Sequence, residues 1–458
     1  MNGHPSAWHM HAAAALLPEG WRANVRLTIR AGRVDAVAPD IAANPDDERH
    51  AIVVPAMANL HSHAFQRGMA GLAERRGSQA DSFWGWRDVM YHFALAMNPD
   101  QAEAVAALAY MEMLEAGCGR VGEFHYLHHD RDGRPYSRVA EMAEAIAAAA
   151  SQTGIGLTLL PVFYAHASFG GAPPGVAQRR FINDLEGFAR LLEGCKAAIR
   201  PLDGASLGVA PHSLRAVTPA QLAAVSAMLP DAPVHIHLAE QMQEVEDCLA
   251  WCGARPVEWL LDHADVDRRW CLIHATHMNE RETRRLAQSG AIAGLCPVTE
   301  ANLGDGIFPA RAFVADGGRF GIGTDSNVLI GVADELRQLE YSQRLQHRAR
   351  TVLAPAGGSN GRAVFEAALA GGKAALGLPG GGIQPGASAD IVSLDAEHPA
   401  MAGLSQEGIL DAWIFAGGNR LVDCVWVRGR RQVTGGRHVK RESIARRFWA
   451  VAAVLRAG

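Results

Sequence analysis

Two histidines one residue apart close an apolar run in VVPAMANLHSHAFQR (53–67), at His61 and His63. Side chains on a strand alternate faces, so such a pair projects the same way. Paired imidazoles at a strand end are able to grip a divalent cation. Three later segments carry residues of the same chemical type. PVHIHLAEQ holds His237 with Glu240 three residues on, CLIHATHM holds His274, and FGIGTDSNV holds Asp325. Neutral imidazoles with a carboxylate suit a hydrolytic metal site that keeps one position open for water. A carboxylic acid such as Glu240 suits proton transfer beside it, because it both accepts and donates.

These residues are far apart in the chain, so the fold must gather them. Short apolar runs ending near His63, Tyr126, Val162, Pro211, Leu238, Ala275, Pro297 and Asp325 read as eight strands. Alanine-rich amphipathic stretches lie between them, among them 101–116, 137–150 and 217–228. Alternating strands and helices predict an α/β chain with a (β/α)8 TIM-type barrel. In that fold the active groups sit at the C-terminal strand ends, where His61, His63, His237, His274 and Asp325 all fall. The first fifty residues read as strands: Val25, Leu27 and Ile29 alternate with Arg26, Thr28 and Arg30, before a turn at Ala31-Gly32. The same texture returns in GASADIVSLD and LVDCVWVRGRRQVTGG. Both termini are therefore expected to build one small β-sandwich domain, 1–55 with 380–458, around a barrel of 56–379.

Composition narrows the function classes. The chain has 458 residues and a formal net charge of −5, without the basic patch that nucleic acid requires. No apolar segment of about 20 residues suggests a membrane span, and MNGHPSAWHMHAAAALLPEG lacks the pattern of an export signal. Seven scattered cysteines with no CxxC pair read as reduced thiols. The expected setting is the cytoplasm. HYLHHD offers His125, His128 and His129 as a second cluster, but His125 alternates away from Tyr126 and the other two are expected in a solvated loop. His235 projects like His237, one layer deeper, and is expected to be a hydrogen-bonded core histidine.

HxH on strand 1, histidines on strands 5 and 6, and aspartate on strand 8 together resemble the amidohydrolase superfamily. The expected strand 4, ASLGVAPHS, has no lysine, which implies the one-metal subtype. The segments NLHSHAFQRGMAG, GEFHYLHHD, APHSLRAV, HIHLAEQ, IHATH and GTDSN resemble, within it, the N-formimidoyl-L-glutamate deiminases. That resemblance implies hydrolysis of an amidine to a formamide and ammonia. It implies one Zn2+, with Fe2+ or Mn2+ as alternatives, held by His61, His63, His237 and Asp325. Glu240, His274 and Asp325 would share the proton transfers. The implied substrate is a small dicarboxylate amidine, bound by Gln66, Arg87, Tyr126, His212 and Arg215. A guanidinium matches a carboxylate with two parallel hydrogen bonds, so the arginines suit that partner.

Other deaminases on the same framework, acting on guanine, cytosine or adenosine, would need stacking aromatics and amide partners in place of Arg215. A triazine hydrolase would share the metal set, and a non-catalytic scaffold would have lost ligands that this chain keeps. A homodimer is the default expectation from symmetry.

Overall fold

The computed structural model of the chain describes residues 7–74 and 83–457. Four strands come first: β1 (Trp8–Leu17), β2 (Gly20–Arg30), β3 (Arg33–Ala38) and β4 (Glu48–Pro55). One residue later β5 (Met57–Ser62) begins, followed by β6 (Cys118–His125), β7 (Gly156–Phe163), β8 (Ser206–Leu207) and β9 (Ala210–Pro211). Then come β10 (Val234–Leu238), β11 (Trp270–His274), β12 (Ile292–Leu295) and β13 (Arg319–Ile322). The chain returns to strands with β14 (Ile391–Leu394), β15 (Val422–Val427), β16 (Arg430–Thr434) and β17 (Arg437–His438).

From β5 to β13 every pairing is parallel. β5, β6 and β7 pair in order, and β7 carries both β8 and β9 at its far side. β10 to β13 form a second parallel run. Isolated parallel bridges join the two runs at Val209–Val234 and Ser213–His237, and at Ser62–Asp325. The pairings therefore make a ring. The strands end within a few residues of the expected positions, with one difference: the fourth is broken into two short pieces at Gly208-Val209. Gly208 turns its N–H to Leu159 O at 2.9 Å and Val209 turns its own to Pro233 O at 3.0 Å, which uses their donors on different neighbours.

The helices between strands begin where local chemistry starts them. Thr218 caps the helix Pro219–Ala227 with a capping box to Gln221 and a proline in its first turn. Asn98 does the same for Pro99–Glu115, whose alanine-rich face is almost wholly buried. Glycine is required where elements approach most closely. A Cβ on Gly323 would lie 2.8 Å from the Cβ and O of His61, and one on Gly321 would lie 2.5 Å from the Leu60 side chain.

The remaining strands form one hydrogen-bonded path, β17-β16-β15-β14-β4-β1-β2-β3, so strands from both ends of the chain share a sheet. It curls on itself: the β3 edge bonds the segment 386–389, which leads into β14. Met10, Val25, Leu27, Val53, Ile391 and Trp426 fill the core inside the curl. Among the described residues no helix is long and apolar enough to cross a membrane.

A buried polar seam locks β5 to the turn after β13. Asn327 Nδ2 donates to Ser62 Oγ, His63 O and Asp325 O, each at 3.1 Å. Thr324 Oγ1 donates to Asn327 Oδ1 at 2.6 Å and accepts from Asn59 Nδ2 at 2.7 Å. Asn327 sits in the left-handed region (φ 56), which asparagine tolerates better than most residues. Asn327→Ala is expected to lower stability by about 1–3 kcal/mol, because buried carbonyls lose their donor. Ser62→Ala, which removes a single partner, should cost less; thermal denaturation of the two variants checks the order.

Candidate metal centre

β5, β10 and the turn after β13 bring four acceptor atoms together. His61 Nε2 lies 3.2 Å from His63 Nε2 and 3.1 Å from His237 Nε2. Asp325 Oδ1 lies 3.3 Å from His61 Nε2 and 3.2 Å from His63 Nε2. The tautomers follow from the other ring nitrogens. His63 Nδ1 faces Phe124 O at 3.0 Å and His237 Nδ1 faces His212 O at 3.1 Å. A nitrogen facing a carbonyl must carry the proton, so in the neutral rings both Nε2 atoms present lone pairs. Burial favours those neutral forms, holding His61 at about 3 and His237 well below the usual histidine range. Burial pushes the Asp325 carboxyl up, but the His61 and His63 rings beside it outweigh that and hold the group well below the usual range.

Lone pairs and a carboxylate at such spacings repel one another unless a cation lies between them. Bonds of about 2.0 Å to a tetrahedral ion place neighbouring donors roughly 3.3 Å apart, and four of the donor pairs stand at 3.1–3.3 Å. The donor set therefore fits a divalent metal. The second proton-bearing rings of His63 and His237 are anchored to backbone carbonyls, which fixes their orientation.

Beside the four lie His274 and Glu240. His274 Nδ1 bonds Glu300 Oε1 at 3.2 Å, while its Nε2 is 3.8 Å from Glu240 Oε1 and 3.9 Å from Asp325 Oδ2. Burial lowers its pKa, but Glu240, Glu300 and Asp325 together outweigh that and lift it to about 10. His274 is thus an imidazolium, a donor at neutral pH. Burial raises the Glu240 carboxyl, with His274 and Arg215 pulling it back. His274, Ala239 and Asp325 all adopt positive φ (68, 49 and 44°) just where strands give way to turns. Such non-glycine conformations cost on the order of 1–3 kcal/mol each and recur at functional sites.

A cavity of about 70 Å3 opens over this cluster. All five sequence-derived pocket residues, Gln66, Arg87, Tyr126, His212 and Arg215, line it together with Glu240. Gln66 Nε2 donates to Tyr126 Oη at 2.9 Å, leaving its buried Oε1 without a partner. His212 Nδ1 meets Ser213 Oγ at 3.1 Å, and its ring packs 4.5 Å from that of Tyr164. The Arg87 guanidinium lies 5.6 Å from the Tyr91 ring centroid. Arg215 is half-buried, its buried Nε makes no hydrogen bond, and among the described residues Glu244 is the one carboxylate within ion-pair reach, at 3.7 Å.

Sequence reasoning missed Met90, Tyr91, Tyr164, Phe181 and Leu303 on the cavity wall, and Glu300 behind His274. Glu300 carried a weak signal, being an acid one turn past the end of β12. The HYLHHD expectation needs correction: His128 and His129 are buried, each giving a ring nitrogen to a carbonyl (Val162 O and Ile182 O, both 2.8 Å). Arg180, itself 0% exposed, donates to His129 O and makes this a buried loop where a solvated one was expected. His235 is a core histidine as expected, bonded to Ala375 O at 2.7 Å.

The model of the amidohydrolase family matches residues 52–431. A second, described as the N-terminal domain of formimidoylglutamate deiminase HutF, matches residues 9–51. A formimidoylglutamate deiminase of Pseudomonas aeruginosa is 52% identical over 440 residues, covering 95% of this chain and 97% of that protein. A 5-methylthioadenosine/S-adenosylhomocysteine deaminase of Natronomonas pharaonis is 29% identical, covering 77% and 75%. The crystal structure of an amidohydrolase from Brucella melitensis superposes with a TM-score of 0.96 at 63% identity, covering 98% of this chain and 99% of the other. An adenosine deaminase from Xanthomonas campestris, solved with bound zinc, shares the fold at a TM-score of 0.83 and 23% identity, covering 99% and 100%.

Removing one ligand should separate metal binding from the rest of the pocket. Asp325→Ala and His63→Ala are expected to purify without stoichiometric divalent metal, whereas Glu240→Gln should keep it. Elemental analysis of the three proteins checks this.

Proposed function

The chain belongs to the amidohydrolase family, and we propose that it hydrolyses N-formimidoyl-L-glutamate to N-formyl-L-glutamate and ammonia. The observation that carries this reading is Arg215, a half-buried guanidinium on the cavity wall whose buried Nε makes no hydrogen bond. A flat uncharged nucleobase would give that cation no anion beyond Glu244, whereas a substrate carboxylate would meet it with two charge-assisted bonds. The 52% identity to a formimidoylglutamate deiminase across nearly the whole chain supports the same substrate.

In the reaction a C–O bond forms at the formimidoyl carbon and its C–N bond to the terminal nitrogen breaks. His61, His63, His237 and Asp325 would hold one Zn2+, with Fe2+ or Mn2+ able to take the same donors. When bound, the ion lowers the pKa of a coordinated water toward ~7 and so supplies a nucleophile at neutral pH. Glu240 takes the proton released by the attacking water and delivers it to the departing nitrogen. His274, charged and anchored by Glu300, donates to the oxygen on which negative charge develops. Asp325 steadies that imidazolium from the ligand side. Arg215 and Arg87 hold the two carboxylates of the substrate, His212 and Tyr126 flank its chain, and the free Gln66 Oε1 accepts from the formimidoyl N–H.

The ring of parallel strands is read here as a (β/α)8 barrel of residues 56–379. The curled sheet of 1–55 and 380–458 is the small β-sandwich domain, its layers being halves of one sheet. A metabolic hydrolase with reduced thiols belongs in the cytoplasm, and a homodimer is the expected assembly.

Ammonia release from metal-loaded protein given N-formimidoyl-L-glutamate, beside guanine, cytosine and adenosine, tests the reading. Turnover of the first alone is expected, and release from a nucleobase in its place would overturn the assignment of the arginines. Arg215→Ala should reduce kcat/KM by about 2–5 kcal/mol of transition-state stabilisation with bound metal unchanged.

A further inference from the structure

The turn that delivers Glu240 to the cavity is held by a residue the reaction does not use. β10 ends at Leu238, Ala239 takes a left-handed conformation, and the helix Met242–Cys252 starts three residues later. Glu244, in the first turn of that helix, folds back over this corner. Its Oε1 accepts from the Ala239 N–H at 3.0 Å and its Oε2 from the Glu240 N–H at 3.4 Å. The same Oε2 lies 3.7 Å from Arg215 Nε.

An acid at the third helical position often reaches back to free N–H groups, and capping alone would account for the two backbone bonds. Two further observations exceed a cap. Glu244 is only 3% exposed, where a capping carboxylate ordinarily stays in water. It is also the one carboxylate within ion-pair reach of Arg215 among the described residues, on the side chain assigned to grip the substrate. A single carboxylate thus touches both the backbone of the proton-transfer residue and the carboxylate clamp.

We propose that Glu244 is a positioning residue that couples carboxylate binding at Arg215 to the placement of Glu240. This rests on the deiminase reading above. Before substrate arrives, Glu244 offsets the charge of Arg215 and keeps the guanidinium extended along the wall. When a substrate carboxylate takes the remaining donors, the guanidinium is shared between two anions. The pull on Glu244 Oε2 changes, and with it the anchoring of the Glu240 N–H. A substrate lacking that carboxylate leaves the corner in its resting position.

A double-mutant cycle tests the coupling. Glu244→Gln keeps an oxygen for one backbone N–H and removes the charge, while Arg215→Met removes the guanidinium and keeps the apolar stem. Steady-state kcat and KM on N-formimidoyl-L-glutamate, melting temperature and metal content are measured for the four proteins. Coupling predicts that E244Q lowers kcat about tenfold in the wild-type background and less than about threefold in the R215M background, within the range usual for contacting residues. Melting temperature and metal content should stay constant. Equal losses in both backgrounds, a loss confined to KM, or a kcat loss that tracks a falling melting temperature would each overturn it. If E244Q does not fold, Glu244→Asp, which keeps the charge and shortens the reach, runs the same cycle. A wild-type protein inactive on this substrate would overturn the deiminase reading itself, an outcome distinct from an active enzyme with additive losses.

Discussion

Four buried acceptors within 4.8 Å of one another are the constraint on which this architecture turns. Three imidazole lone pairs and a carboxylate do not gather of their own accord, so the rest of the fold must hold them in place. The holding is done away from the acceptors themselves. Asn59, Thr324 and Asn327 stitch the end of the first ring strand to the turn after the last. Backbone carbonyls of Phe124 and His212 pin the outer nitrogens of His63 and His237. Glycine at 323 lets the two backbones approach closely enough for the stitching to work. Each device spends polar groups that a core would otherwise exclude, and each is fully paired.

The second organising effect is a gradient of charge across one cavity. Acidic groups crowd the His274 side: Glu240, Glu300 and Asp325 surround it, and Asp305 nearby is pushed up to about 9, chiefly by burial and then by Glu240. Arg87 and Arg215 line the same cavity. A small molecule with anionic ends and a cationic amidine is oriented by that gradient before any single contact is complete. Glu244 stands where the two sides meet, the point at which binding and proton transfer are able to communicate.

The histidine and aspartate positions were legible in the amino-acid sequence because strand periodicity and strand-end spacing are local properties. His61 and His63 needed only their own run, and His237 and Glu240 only the three-residue interval between them. Residues recruited by tertiary neighbours left little trace. Tyr91 and Phe181 reach the cavity from a helix and a loop that no periodicity connects. Glu244 resembles any helix-capping acid until Arg215 is placed beside it. The HYLHHD histidines looked like a solvated loop because polarity usually means exposure. Arg180, fifty residues later, lines that loop with a buried guanidinium and turns the same residues inward. The curl of the small sheet was equally hidden, since it depends on Arg33 and Val34 meeting 386–389.

That last contact sets an order of events during synthesis. Arg33 donates to the carbonyl of Gly386, 353 residues further along the chain. Translation at roughly 5–20 residues per second delivers that partner about 20–70 s later. Until then β1 to β4 wait with both edges open, and β5, joined to β4 by the single residue Ala56, waits with them. The strand that carries His61 is among the first parts of the ring to be made and among the last to be clamped from both sides. Early divalent-ion capture by a half-built site would therefore compete with ring closure, and the nascent edge is the segment a chaperone has most reason to cover.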